Sequence, residues 1–277
     1  MTDAVIVSTA RTPIGKAFRG AFNNTHGAVL AGHVIEHAVL RAGIEPDEVE
    51  DVVMGCALPE GATGGNVART SAIRAGLPVT TAGTTINRFC SSGLQAIASA
   101  SHRVIVDNVP VMVAGGVESI SLVQNNMNNH RADEEWLNQH KPEIWMSMID
   151  TADIVAARYR VSREDQDAYA LSSQQRTAAA QNEGRLDAEI VPITTVKIVT
   201  DKETGETSEQ EITVDRDECN RPGTDIEGLS NLQPVMGEDK FITAGNASQL
   251  SDGASACVIM SDKEAQRRGI EPLGIFR

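Results

Sequence analysis

Ile86-Asn87-Arg88-Phe89-Cys90-Ser91-Ser92-Gly93-Leu94-Gln95-Ala96-Ile97 is the stretch from which fold and chemistry are best read. A short strand signal, Thr84 to Arg88, runs into small and polar residues around one thiol. An apolar pattern at helical spacing follows at once: Leu94, Ile97, Ala98, then Ile105. The spacing predicts Cys90 at the first turn of a buried helix, where unpaired N–H groups and the helix dipole favour a thiolate. A thiolate so placed is a nucleophile able to carry an acyl group. The plain alternative is a structural cysteine that packs as a small apolar side chain. Gly93 permits close backbone approach, and Ser91 and Ser92 suit a helix start, which shifts the balance towards the nucleophile.

Working outward, strands and helices alternate. Ala4 to Ser8 reads as a buried strand, and His26 to Ala42 as a helix with Leu30, Val34 and Ala38 on one face and Gly43 as its stop. Val49 to Cys56 is a second strand. Asn66 to Ala75 is a helix stopped by Gly76 and Pro78, and Val111 to Val117 is a strand that follows Pro110. This order implies an α/β fold with a parallel or mixed sheet covered by helices. Beyond Ser121 the character changes. Gln124 to His140 reads as an irregular surface segment. Ser162 starts a helix that ends near Gly184. Ile193 to Val199 and Glu211 to Val214 form two strands around Gly205, which makes this region an insertion of helix and hairpin. Ala254 to Met260 returns as a buried strand.

Composition narrows the class. The chain has 277 residues with 3% aromatics, so Ala, Val, Ile and Leu must build the core. A net charge of −14 argues against nucleic acid as a partner. Eight acids between Asp201 and Glu218 face only Lys202 and Arg216, a pattern read as solvated surface. The cysteines at 56, 90, 219 and 257 show no C-x-x-C spacing, which argues against a zinc ribbon or disulfide framework and for a reducing cytoplasm. No secretory signal or membrane span is expected.

Asn87-x-x-Cys90-Ser91-Ser92-Gly93-Leu94-x-Ala96-Ile97 resembles the acyl-enzyme motif of the thiolase family (acetyl-CoA acetyltransferases and 3-ketoacyl-CoA thiolases). Further segments resemble that family in the same order. They are Arg11-Thr12-Pro13-Ile14-Gly15-Lys16, Ala114-Gly115-Gly116-Val117-Glu118-Ser119-Ile120-Ser121, Tyr159 to Asp167, Thr243 to Ser248, and Leu250 to Ala254. The resemblance covers essentially the whole chain. It implies a layered α-β-α-β-α fold, of which this chain carries the first half, an inserted loop domain and the start of the second half. The expected boundaries are 1–120, 121–248 and 249–277.

The resemblance also implies a function. Cys90 forms an acyl-thioester with a 3-oxoacyl-CoA or acetyl-CoA, and coenzyme A is a substrate, with no cofactor and no metal. Ser248 and Ala244 would touch the pantetheine arm and Arg221 the adenine nucleotide, although Arg221 also fits a surface charge. Met148 opens the acyl-pocket segment Met148-Ile149-Asp150-Thr151-Ala152-Asp153, where family members often carry Met-Gly-x-Thr-Ala-Glu. Ile149 in place of glycine, and Ser147 in place of a histidine, lean towards a degradative 3-oxoacyl-CoA thiolase of fatty-acid β-oxidation. The expected partners are acyl-CoA and CoA, with no nucleic acid and no membrane. The full-length protein is expected to be a homo-oligomer, a dimer or tetramer.

The family pattern continues with Asn-Glu-Ala-Phe, Gly-His-Pro and Cys-x-Gly-Gly-Gly motifs that this sequence does not contain. About 100 residues, a small domain's worth, are expected to be missing. None of the histidines at 26, 33, 37, 102, 130 and 140 lies in a matching motif, so the chain alone is expected to be inactive. The rival readings are a non-catalytic CoA-binding or assembly protein of the same fold, a ketoacyl synthase, and a peroxide-sensing cysteine protein. His33-Val34-Ile35-Glu36-His37 matches H-x-x-E-H, but the same helix carries the apolar stripe and no third ligand is evident, so these histidines read as structural. Cys257, in an apolar run, reads as core.

Overall fold

The computed structural model describes residues 2–277. The chain opens with β1 (Ala4–Arg11), β2 (Gly15–Lys16), α1 (Gly27–Ala42), β3 (Asp51–Gly55), α2 (Val67–Arg74), β4 (Ala82–Ile86), α3 (Ser92–His102) and β5 (Val111–Glu118). It continues through α4 (Ile120–Val123), α5 (Glu135–His140), α6 (Met148–Tyr159), α7 (Arg163–Asn182), β6 (Ile193–Thr200) and β7 (Thr207–Val214). α8 (Ile226–Ser230), β8 (Ser251–Ser261), α9 (Asp262–Arg268) and β9 (Gly274–Ile275) close it. These elements form two compact units. The first holds the residues up to Met127, Asp187–Cys219 and Leu250–Arg277, and the second holds Asn128–Leu186 and Asn220–Gln249.

The first unit is built on a seven-stranded mixed sheet in the order β4-β3-β5-β8-β1-β9, with β2 paired to β8. β3 runs parallel to β4 and β5, while β8 is antiparallel to both β5 and β1. Strand side chains alternate between faces with period 2. Val52, Met54, Val111, Val113, Val258 and Met260 therefore pack with Leu30 and Val34 of α1 and Ala68 and Ala72 of α2. Val53, Met112, Ala114, Cys257 and Ile259 face the other way, onto Ala96 and Ala100 of α3. Both faces of the sheet are covered, which is why these strands read as continuous apolar runs.

The stretch from 249 was expected to open a second half. Instead, β8 fills the middle of the first sheet, with Val111↔Met260 on one side and Val5↔Met260 on the other. β8 contributes buried apolar side chains to both faces, Val258 and Met260 to one and Cys257 and Ile259 to the other, as a central strand flanked by β5 and β1 does. The β6–β7 hairpin also belongs to the first unit. Asn23 donates from Nδ2 to Ile198 O at 2.8 Å and accepts from Ile198 N at 3.0 Å, and the Thr25 and Thr195 hydroxyls meet at 2.7 Å.

The second unit is held by buried polar contacts more than by an apolar core. Arg163 at the start of α7 pairs with Asp167 at 2.7 Å and donates to Leu229 O and Leu232 O at 2.7 and 3.0 Å. Asp167, 1% exposed, also accepts from Asn246 Nδ2 at 3.0 Å. Asp153 of α6 accepts from Phe241 N at 2.8 Å. Asp167 is thus both paired and hydrogen-bonded, the condition under which burial of a charge is tolerated, whereas Asp153 is held through one oxygen by the Phe241 and Ile242 amides. Residues 124–140, expected to be irregular, include the short helix α5, which is capped by Glu134 accepting from Trp136 N and Leu137 N.

Candidate active site

Cys90 occupies the elbow between β4 and α3. The chain must turn sharply there, and Phe89 takes a left-handed backbone conformation with φ +48°. For an L-residue this costs about 1–2 kcal/mol, so it persists only where neighbours over-determine it. They do so here. Asn87 Oδ1 accepts from Phe89 N at 2.9 Å. Ser92 donates to Phe89 O from its amide at 3.0 Å and from its hydroxyl at 2.5 Å, while its Oγ accepts from Arg88 N at 2.8 Å. Arg88 in turn donates to Gln95 Oε1 at 2.6 Å. Cys90 emerges from this elbow as an exposed free thiol.

The helix begins slightly later than its sequence suggested. Ser91 is the N-cap and Ser92 the first helical residue, so Cys90 directly precedes the cap. The helix is also only half buried. Ser92, Ala96, Ala100 and Ser101 face the sheet, while Leu94 is 67% exposed. The seat beneath it is made of glycine. A Cβ on Gly55 would overlap the carbonyl carbon of Ser92 and the Gly93 nitrogen. The first turn of α3, which contains Gly93, therefore rests on bare β3 backbone, the close approach that Gly93 was read to permit.

The other thiols differ. Cys56 is buried, and burial together with the Glu118 charge pushes it up to about 12. Burial pushes Cys257 up to about 12 as well, in the core where the sequence placed it. A thiolate is the reactive form, so neither is available at neutral pH. In α1, burial and then the neighbouring His37 lower the His33 pKa, with ring centroids 4.6 Å apart. Among the described residues no group of three His, Cys, Asp or Glu gathers in metal-holding geometry.

The second unit carries a cleft of about 450 Å³. Three of the residues singled out from sequence, Arg221, Ala244 and Ser248, line it together. Met148 does not; it opens α6 and is 77% exposed. Ser173 and Gln174 of α7, Thr224, Leu229 and Leu232 also line the cleft. Gln174 accepts from Arg221 N and Asn220 Nδ2 at 2.8 and 2.9 Å, which fixes the Arg221 backbone. The Asp167–Asn246 contact fixes the turn bearing Ala244, because Asn246 Oδ1 accepts from Thr243 N at 2.8 Å. Asp167 and Asn246 both fall in the quoted motifs, but nothing in those motifs signals their pairing. The cleft combines the Arg221 cation, the Asp225 carboxylate, hydroxyls and leucine side chains, so a ligand with an anionic end at Arg221 and a thin, partly apolar arm suits it.

No helix among the described residues is long and apolar enough to cross a membrane. A family model described as "Thiolase, N-terminal domain" matches residues 4–263. The chain is 42% identical over 280 residues to the 3-ketoacyl-CoA thiolase of Bacillus subtilis (strain 168), covering 100% of this chain and 70% of that protein. It is 38% identical over 276 residues to the peroxisomal 3-ketoacyl-CoA thiolase B of Mus musculus, covering 100% of this chain and 64% of that protein. The crystal structure of the Bacillus anthracis acetyl-CoA acetyltransferase is similar with a TM-score of 0.83 at 36% identity, covering 99% of this chain and 69% of that one. Extended over the whole sheet, the Cys90 elbow and the second unit, this likeness means that the chain belongs to the thiolase family.

Proposed function

We propose that this chain carries the acyl-transfer nucleophile of a thiolase reaction, with Cys90 as that nucleophile. The observation that carries the reading is the exposed thiol on a strand-to-helix elbow clamped by Asn87 and Ser92. In thiolysis, Cys90 Sγ attacks the C3 carbonyl of a 3-oxoacyl-CoA. The C2–C3 bond breaks, acetyl-CoA leaves as its enolate and takes up a proton, and the acyl group stays on Cys90 as a thioester. The CoA thiol then attacks that thioester, releasing acyl-CoA and the cysteine. Condensation runs the same bonds in reverse. The relatives' names include both 3-ketoacyl-CoA thiolase and acetyl-CoA acetyltransferase. Ser147 and Ile149 in the acyl-pocket segment favour the degradative direction.

The 450 Å³ cleft is proposed as the CoA site. Arg221 would take the phosphorylated nucleotide, and Ala244 and Ser248 the pantetheine arm; Met148, at the start of the acyl-pocket segment, would contact the bound substrate. No dedicated cofactor or metal enters this reading, and assembly as a homo-oligomer in the cytoplasm belongs to it. The chain alone is proposed to bind CoA and accept an acyl group without sustained turnover. No histidine among the described residues is hydrogen-bonded to Cys90 to serve as its base. The nearest in sequence, His102, closes α3, about 15 Å along the helix from Ser92.

Intact-mass measurement after incubation with acetyl-CoA tests the reading. An acetyl adduct absent from Cys90→Ser supports it. Equal adducts in both proteins would move the nucleophile elsewhere. CoA binding with no adduct at all would favour a non-catalytic CoA-binding protein, and thiolytic turnover comparable to a full-length relative would remove the claim of inactivity.

A further inference from the structure

The turn that follows β3 is coupled to the Cys90 elbow through side chains. Glu118, the last residue of β5, reaches across to this turn. Its two carboxylate oxygens accept from Ala57 N at 2.8 Å and Leu58 N at 3.1 Å, and Cys56 Sγ donates to it at 3.5 Å. The carbonyl of that same Ala57 accepts from Asn87 Nδ2 at 3.1 Å. Asn87 then holds Phe89 N with its Oδ1 at 2.9 Å, and Phe89 is the left-handed residue immediately before Cys90. The path from Glu118 to Cys90 is therefore a continuous run of direct hydrogen bonds and adjacent residues. Thr63 Oγ1 donates to Leu58 O at 2.6 Å and steadies the turn from its other end.

We infer that Glu118 and Asn87 are positioning residues for Cys90: Glu118 fixes the 56–58 turn, the turn fixes the Asn87 amide, and Asn87 holds the strained Phe89 amide that aims the thiol. Only a carboxylate of this length serves both turn amides. Glutamine offers one acceptor oxygen and turns an NH2 group against the other N–H. Asparagine at 87 is likewise specific, because one amide must accept from Phe89 N and donate to Ala57 O at once. Aspartate keeps the first contact and loses the second. The Cys56 thiol stays protonated, pushed up to about 12 by burial and the Glu118 charge, so it acts as a donor to Glu118 and does not compete with Cys90 for acyl groups.

The inference rests on the reading of Cys90 as the acylated residue, and two measurements keep the two claims separable. The first is the rate of acetyl-adduct formation as acetyl-CoA concentration rises, in the parent chain, Glu118→Gln and Asn87→Asp, with iodoacetamide alkylation of Cys90 measured in parallel. Misaimed attack lowers the maximal acetylation rate by about tenfold or more. The half-saturating acetyl-CoA concentration and the alkylation rate should stay within about twofold, since iodoacetamide needs no particular approach to the thiol. A general loss of structure would move all three. The second measurement is amide hydrogen exchange, where Glu118→Gln should speed exchange about fivefold at Ala57, Leu58 and Phe89. A parent chain that forms no acetyl adduct overturns the reading of Cys90, and exchange at Phe89 still decides the coupling. Parental maximal acetylation in both variants, or unchanged Phe89 exchange in Glu118→Gln, overturns the positioning role.

Discussion

Gly55 lies so close to the backbone of Ser92 that a single Cβ on it would overlap the Ser92 carbonyl carbon. The first turn of α3 is thereby seated directly on β3, and Cys90 inherits its position from that seat. Gly55→Ala must push α3 away or strain β3. Overpacking of this kind costs about 1–3 kcal/mol. Urea denaturation should show that loss, together with slower acetylation of Cys90. Parental stability in this variant would mean that the seat is soft.

The four thiols should react in an order set by exposure and charge. Cys90 is exposed, Cys219 is half-buried, and Cys56 and Cys257 are buried with thiols pushed up to about 12. At mildly alkaline pH the thiolate fraction of the last two is about one in ten thousand. Brief iodoacetamide treatment of the native chain, followed by peptide mapping, should label Cys90 at least about a hundredfold faster than Cys257. Comparable labelling of Cys257 would show that the sheet opens readily.

Asp167→Ala leaves Arg163 without its ion-pair partner and Asn246 without its acceptor. Removing one member of such a pair costs about 3 kcal/mol. Because Asn246 holds the turn that bears Ala244, CoA binding to the chain should weaken about tenfold, as measured by isothermal titration calorimetry. A stability loss with unchanged CoA affinity would detach the cleft from the proposed binding role.

α9 carries the clearest acid-sensitive element. Hydrogen bonds from Arg267, joined by Arg268, pull Glu264 down to about 2, and Arg268 also lowers Glu48. A carboxyl with a lowered folded pKa adds stability above its unfolded pKa of about 4.3, and that stability is lost as pH falls towards the folded value. Solvent screens these side chains, so Glu264→Gln should cost about 0.5–1 kcal/mol near neutrality. The gap between variant and parent should close between about pH 4.3 and pH 2. A gap that stays constant with pH would remove the ion pairs as its source.

Local features of the sequence carried most of the first unit. The stripe of Leu30, Val34 and Ala38 with Gly43 marked α1, and Gly43 indeed ends it in the left-handed region at φ +65°. Ser162 marked the start of α7, where its hydroxyl accepts from Asp165 N. What escaped reading was non-local. The place of β8 depends on partners about 140 to 250 residues away in sequence, and the apolar run 254–260 carries no record of which sheet receives it. The hairpin joins the first unit through Ile193 and Val214, which enter its core, and through Asn23 and Thr25, polar residues that give no periodic signal. Leu94 fitted a buried helical stripe and is 67% exposed, because periodicity reports a face and not what covers it. Cys90 in the first unit, and Arg221, Ala244 and Ser248 in the second, were singled out from motifs. Glu118 lay in a quoted motif with no role attached, since its partners Ala57 and Leu58 offer only backbone amides.

Cys90 is proposed as the residue that carries the acyl group. The most direct measurement is brief incubation with acetyl-CoA labelled in its acetyl group, acid quenching, rapid tryptic digestion and location of the label by mass spectrometry. Cleavage after Arg88 and Arg103 isolates Cys90 as the only cysteine in its peptide. Label is expected on that peptide alone, discharged when free CoA is added and absent from Cys90→Ser. Label on the peptide bearing Cys56, Cys219 or Cys257, or label that persists in Cys90→Ser, would contradict it.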